Sequence, residues 1–176
     1  MSSSPATGAN GFSLWQNAAP MAPQAHEGQH SPGPTMPYFA HCSRVAMLVV
    51  FAFSGPAVEI IAATYRHEVY EKTTLTREAV AMAMGSMVAT LAERLSITIP
   101  DEKATYWERL AQAPWKARVI KIAHALDHLN GPLDYQKARL RSARRAVLLA
   151  TGHEPAIERA SQVLRQSIDC FEQSPS

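Results

Sequence analysis

Three of the seven histidines stand on stretches that read as core helix: His41 in PYFAHCSRVA, His67 in YRHEVYEKT and His124 in VIKIAHALDHL. Each has apolar neighbours, and an ionisable ring is costly to bury unless something satisfies it. Rings that converge on one interior point invite a metal ion. Glu68 follows His67 directly, and imidazoles with a carboxylate form a mixed nitrogen and oxygen donor set suited to first-row divalent ions. The alternative is that each ring is separately hydrogen-bonded in the core. The histidines lie on separate segments, so no local motif decides between the two.

The elements that must position these residues read as helix after helix. Tyr38 to Phe53 is almost wholly apolar, as a central core helix would be. Pro56 suits the first turn of a helix to about Tyr70, with Val58, Ile61, Ala62 and Tyr65 on one side. Thr76 is an N-cap for REAVAMAMG, and Gly85 interrupts before SMVATLAERL. SITIP, at 96–100, is the one strand-like stretch. Pro100 and Asp101 start a further helix, and Pro114 starts WKARVIKIAHALDHL, which Asn130-Gly131-Pro132 stops. Two amphipathic segments, about Tyr135 to Ala150 and Pro155 to Phe171, complete the chain, with Leu140, Ala143, Val147 and Ile157, Leu164, Ile168, Phe171 as their apolar sets. The fold class is all-α. One helical domain is expected over 12–172, with a disordered Ser-, Ala- and Gly-rich tail at 1–11 and a short tail at 173–176. Within 12–29 the helical spacing of Leu14, Trp15, Ala18, Ala22 and Ala25 is interrupted by Pro20 and Pro23.

Composition narrows the function classes. The chain has 176 residues, 47% of them hydrophobic, enough for one domain with a substantial core. Seventeen Lys and Arg against fifteen Asp and Glu leave a net charge of +2, too little for binding a polyanion by overall charge. Lys137, Arg141, Arg144 and Arg145 form a stripe at helical spacing, with Arg139 off it, which is read as a solvated helix face; nucleic acid is not expected as a partner. Cys42 and Cys170 are too few for a disulfide scaffold or a thiolate zinc site. The longest apolar run, Val45 to Phe53, is far shorter than the roughly 20 residues of a membrane span. Arg44 is the first basic residue, so no signal or transit sequence is expected and the protein is read as soluble and cytoplasmic.

A longer pattern runs from about Trp15 to Gly131: AHEGQ at Ala25 to Gln29, PYFAH ending at His41, HEVYEKT from His67 to Thr73, Met84-Gly85, and KIAHALDHL from Lys121 to Leu129. In order and spacing it resembles the HD-domain metal-dependent phosphohydrolases, closest to the small alarmone hydrolases that remove pyrophosphate from the 3′ position of guanosine tetraphosphate. Their pattern is AHxGQ, PYxxH, HDxxEDT, FG, and KLAD followed by LxNL. The resemblance implies an HD-type helical bundle and an ion held by His41, His67, Glu68 and His124. It implies Glu71 as the general acid/base and a nucleotide or other phosphate ester as substrate.

The site departs from that pattern. Glu68 stands for Asp, which moves the carboxylate by one methylene, and ligand distances tolerate only a few tenths of an ångström. His124 stands for Asp and removes a negative charge while supplying a nitrogen, shifting the preference from manganese toward zinc, iron or nickel. Lys72 stands for the second carboxylate of the pair after the dyad; it could neutralise a substrate phosphate or be a solvated lysine. His128 stands where Asn is usual. Asp127, one turn beyond His124, could orient His124, substitute as a ligand, or be an exposed carboxylate, and Arg44 could reach the substrate or pair with a carboxylate. His26 and His30 are read as loop residues. Three functions follow: a metal-dependent phosphohydrolase, the favoured one; a catalytically silent HD-fold binding or regulatory module; and, distantly, a nucleic-acid-binding protein.

Overall fold

The computed structural model describes Gly28 and residues 38–53, 58–97, 103–129 and 136–173. Every regular element among them is helical. In chain order these are α1 (Tyr38–Met47), closing in a π turn (Leu48–Ala52), α2 (Val58–Thr64), α3 (Val69–Lys72), α4 (Arg77–Met84), α5 (Ser86–Leu95), α6 (Lys103–Ala111), α7 (Trp115–Leu129), α8 (Gln136–Val147) and α9 (Pro155–Gln173). The all-α expectation holds. The expected tail at 1–11, the segment 12–29 apart from Gly28, His30 and residues 174–176 lie outside the described residues. Helix α9 runs to Gln173, one residue into the expected C-terminal tail.

The centre of the bundle is α7, which buries Ala117, Val119, Ile120, Ile122, Ala123 and Leu126 around its circumference and packs against α1, α5, α8 and α9. The expectation that Tyr38 to Phe53 forms the central helix is corrected here. Val45, Val49 and Phe53 are buried, yet Met47 is 54% and Phe51 72% exposed. An apolar sequence permits burial on every side, and only a neighbour on every side produces it.

Local chemistry explains most boundaries. Thr76 Oγ1 accepts the Ala79 N–H at 3.2 Å and caps α4. Gly85 divides α4 from α5 at φ +91° and ψ 157°, a conformation essentially restricted to glycine. Pro114 precedes α7, and its carbonyl accepts from Ala117 N–H at 2.9 Å. Periodicity misses one break: the expected helix from Pro56 to Tyr70 is interrupted after Thr64. There Thr64 Oγ1 donates back to the Ile60 carbonyl at 2.8 Å, which bends helices. The chain then turns through three-residue bonds, Arg66 N–H to Ala63 O and Val69 N–H to Arg66 O, each 3.0 Å. The break puts His67 and Glu68 on a turn and aims them inward.

Of the stretch SITIP, expected to be extended, only Ser96 and Ile97 are described, and 98–100 lie outside the described residues. Ser96 ends α5 with extended backbone, φ −86° and ψ 145°, and the Ile97 N–H donates to Glu71 Oε1 at 2.6 Å. Among the described residues no helix is long and apolar enough to cross a membrane.

Candidate metal centre

Three elements meet at the site. Helix α1 presents His41 and Arg44, the turn between α2 and α3 presents His67 and Glu68, and α7 presents His124, Asp127 and His128 on one face through its three- and four-residue spacing. The rings of His41, His67 and His124 converge as expected, with centroid separations of 5.2 Å (His41 to His67), 5.0 Å (His41 to His124) and 5.1 Å (His67 to His124). All three residues are buried, at 2%, 2% and 5% exposure.

The hydrogen bonds fix which nitrogens are bare. His67 Nδ1 lies 2.6 Å from the Thr64 carbonyl, which can only accept, so Nδ1 carries the proton. His41 Nδ1 lies 2.7 Å from Asp127 Oδ2, and an ionised carboxylate likewise only accepts. Burial alone would push the Asp127 carboxyl up, but hydrogen bonds from His41 and Arg44 hold it down at about 2, so it is ionised. The Nε2 atoms of His41 and His67 are left facing each other at 3.2 Å. Two lone pairs at that distance repel unless a positive charge lies between them, either a shared proton or a metal ion. Ligands about 2.0–2.1 Å from an ion at the tetrahedral angle are about 3.4 Å apart, close to the separation found.

His124 Nε2 lies 3.2 Å from Glu68 Oε1, which can only accept, so in the metal-free protein Nε2 carries the proton and Nδ1 is the bare nitrogen. Its Nδ1 is buried with no hydrogen-bond partner, a costly state for a polar atom and one expected of a donor shaped for a ligand. Burial pushes the His67 and His124 rings well below the ordinary histidine range, and the neighbouring imidazoles and the Lys121 ammonium add to the effect. Both are therefore neutral at pH 7, the form that coordinates. Two overlapping triads have donor atoms within 4.8 Å of one another: His67, Glu68 and His124, and His41, His124 and His128. Each of the four expected ligand positions belongs to one or both, and the donor chemistry fits a divalent ion.

The structure corrects the reading of Asp127 and selects one of the two alternatives for Arg44. Asp127 is no exposed carboxylate: it is 7% exposed, and it orients His41, across the helix interface, where the sequence pointed to its helix neighbour His124. Arg44 is occupied with that carboxylate, Nε to Oδ1 at 2.6 Å and Nη2 to Oδ2 at 3.0 Å, which is the carboxylate-pairing alternative. Glu71 lies outside both triads; it is exposed and accepts the Ile97 N–H. The side chain of Lys72 lies outside what is described. Cys42 is buried and its thiol is pushed up to about 12 by desolvation, so it offers no thiolate. The stripe on α8 faces solvent at Arg141, Arg144 and Arg145; Arg144 pairs with Glu172 at 2.5 Å, and Arg145 lies 6.0 Å over the Trp107 ring.

Sequence reasoning assigned no role to three contributors. The Thr64 carbonyl was invisible because nothing in the periodicity marks the break that frees it. Lys121 has its Nζ over the Tyr106 and Trp107 rings at 5.2 and 5.4 Å, near Glu68 and Glu71, and burial lowers its pKa. His128 was quoted as a departure, and its position one turn beyond His124 was the available signal.

No protein family and no curated protein matches the sequence. The fold is similar to a solved structure, that of a metazoan ortholog of SpoT that hydrolyzes ppGpp and plays a role in starvation responses, at a TM-score of 0.72 and 19% identity, over 94% of this chain and 98% of that one. The two share one fold, and the HD-like helical bundle expected from the motifs is the architecture found.

Proposed function

We propose that the chain is a metal-dependent phosphohydrolase acting on a nucleotide phosphate ester, with the 3′-pyrophosphate of a guanosine polyphosphate as the class of bond cut. The observation that carries it is the pair of bare nitrogens, His41 Nε2 and His67 Nε2, 3.2 Å apart in a buried site; the likeness to a ppGpp hydrolase supports the substrate class. His41, His67, Glu68 and His124 would hold one divalent ion, drawn from manganese, zinc, iron and nickel. When bound, such an ion polarises a phosphoryl oxygen and acidifies water.

The chain's residues supply the rest. Asp127 and the Thr64 carbonyl hold the Nδ1 protons of His41 and His67, so each ring presents Nε2. Arg44 neutralises Asp127 from the other side. Glu71, one turn beyond Glu68 in sequence, would take the proton of the attacking water at its carboxylate after exchanging the Ile97 N–H for that water.

That same Ile97 contact favours the second reading, a catalytically silent module, because a base committed to a backbone N–H is not poised for water. One experiment separates them. Metal-free protein receives manganese, zinc, iron or nickel, and its melting temperature and its release of pyrophosphate or phosphate from guanosine tetraphosphate and other nucleotides are measured. An ion at about 100 times its Kd stabilises the fold by about 2.7 kcal/mol; His67→Ala and Glu68→Ala should each abolish that gain. Glu71→Gln should cut turnover about 10²- to 10⁴-fold. Ion binding without hydrolysis of any nucleotide tested selects the silent module, and neither binding nor hydrolysis ends the enzyme reading.

A further inference from the structure

His128 is one turn beyond His124 on α7, so both project from the same face. Its ring centroid lies 4.1 Å from that of His124 and 4.8 Å from that of His41, at interplanar angles of 44° and 42°. One nitrogen each from His41, His124 and His128 lies within 4.8 Å of the other two. His128 makes no hydrogen bond among the described residues, so its nitrogens are not committed to an acceptor as those of His41 and His67 are. His124 Nδ1 is buried and unpartnered while its Nε2 is engaged with Glu68. The cluster thus holds more bare nitrogen than the four-residue set of the proposed function uses.

We infer that His128 is a further ligand of this centre, joining His41 and His124 so that the donor set is dominated by imidazole, and that it tilts the site toward zinc, iron or nickel and away from manganese. The inference rests on the metal reading of the proposed function and specifies its coordination. Imidazole suits zinc, iron and nickel, whereas manganese prefers carboxylate, carbonyl and water. Four rings and one carboxylate therefore define an ion class that the sequence pattern alone does not. The competing account is packing: ring on ring, with no part in coordination.

Cobalt(II) and manganese(II) titrations of the metal-free wild type, His128→Asn and His128→Cys decide between them. The wild type should bind cobalt more tightly than manganese. His128→Asn should lose about tenfold or more in cobalt affinity and less for manganese, with an altered visible cobalt spectrum. His128→Cys should gain a thiolate-to-cobalt charge-transfer band in the near ultraviolet that the wild type lacks, a direct signature of ligation by position 128 that stands even if His128→Asn does not fold. Unchanged cobalt affinity and spectrum in a folded His128→Asn, or a folded, cobalt-loaded His128→Cys with no such band, would overturn the inference and leave the metal reading intact. A wild type that binds neither ion would overturn both.

Discussion

Acidifying the metal-free protein from pH 7.5 to 5.5 should remove roughly 4 kcal/mol of folding stability. Burial pushes His67 and His124 well below 6.5 and lowers His128 to about 3. In this window the native rings stay neutral while the same residues in the unfolded chain, titrating near 6.5, take up protons. The unfolded state then binds more protons than the native state, so stability rises with pH. The contribution is fully present above about 6.5 and is lost as pH falls toward the folded values. One pH unit below the unfolded pKa, each ring loses a little over 1 kcal/mol relative to pH 7.5, and three together lose roughly 4. At about 2–4 °C per kcal/mol for a chain of this size, the melting temperature should fall by about 10 °C. The Asp127 carboxylate, held at about 2, does not titrate in this range. Urea unfolding followed by far-ultraviolet circular dichroism in chelator, at pH 7.5, 6.5 and 5.5, measures the effect. A loss below about 1 kcal/mol, or a gain, would refute the view that these imidazoles are buried and neutral.

Two substitutions test other parts of the arrangement. Asp127→Asn removes the acceptor that fixes His41 Nδ1 and pairs with Arg44; metal affinity, measured by competition with a chromogenic chelator, should fall about 10- to 100-fold, and metal-free stability at pH 7 should drop by about 2 kcal/mol, as the lowered Asp127 pKa implies. Combined Arg141→Gln and Arg144→Gln should leave helicity and metal content unchanged and alter stability by less than about 1 kcal/mol, since the lost Arg144 to Glu172 pair is exposed; RNA affinity with a steep salt dependence that vanishes in this variant would revive the nucleic-acid reading.

What the sequence made legible was what neighbouring residues decide among themselves. Thr76 and Gly85 mark their helix ends through one side-chain oxygen and one backbone conformation, and both appear where expected. The convergence of His41, His67 and His124 was legible only through the resemblance, because apolar text around each ring left open whether each was separately satisfied in the core. Partnerships across helices were not. Asp127 and His41 are 86 residues apart, and no period or spacing says that a carboxylate on α7 will orient a ring on α1 in preference to the ring one turn before it. The break after Thr64 was hidden for a related reason: it depends on a threonine back-bond whose occurrence a helical pattern does not reveal.

The departures on α7 make sense together. On the proposed metal reading, His124 in place of the Asp of the resembled pattern takes a negative charge out of the donor set, and Asp127 works one step removed by holding His41, with Arg44 balancing its charge. Glu68 is then the one carboxylate within the two triads, so a dication held there would keep a net positive charge and attract a polyanionic phosphate more strongly than a centre with two carboxylate ligands. The same excess charge would slow product release, because pyrophosphate and phosphate are themselves polyanions. On that reading His124→Asp should carry a cost and a gain: weaker preference for zinc or nickel and weaker phosphate binding, against faster departure of product. On the proposed reading that trade separates an adapted site from a decayed one, since a decayed site has no reason to keep His67 and His124 buried beside two further imidazoles when those two rings cost stability as the pH falls.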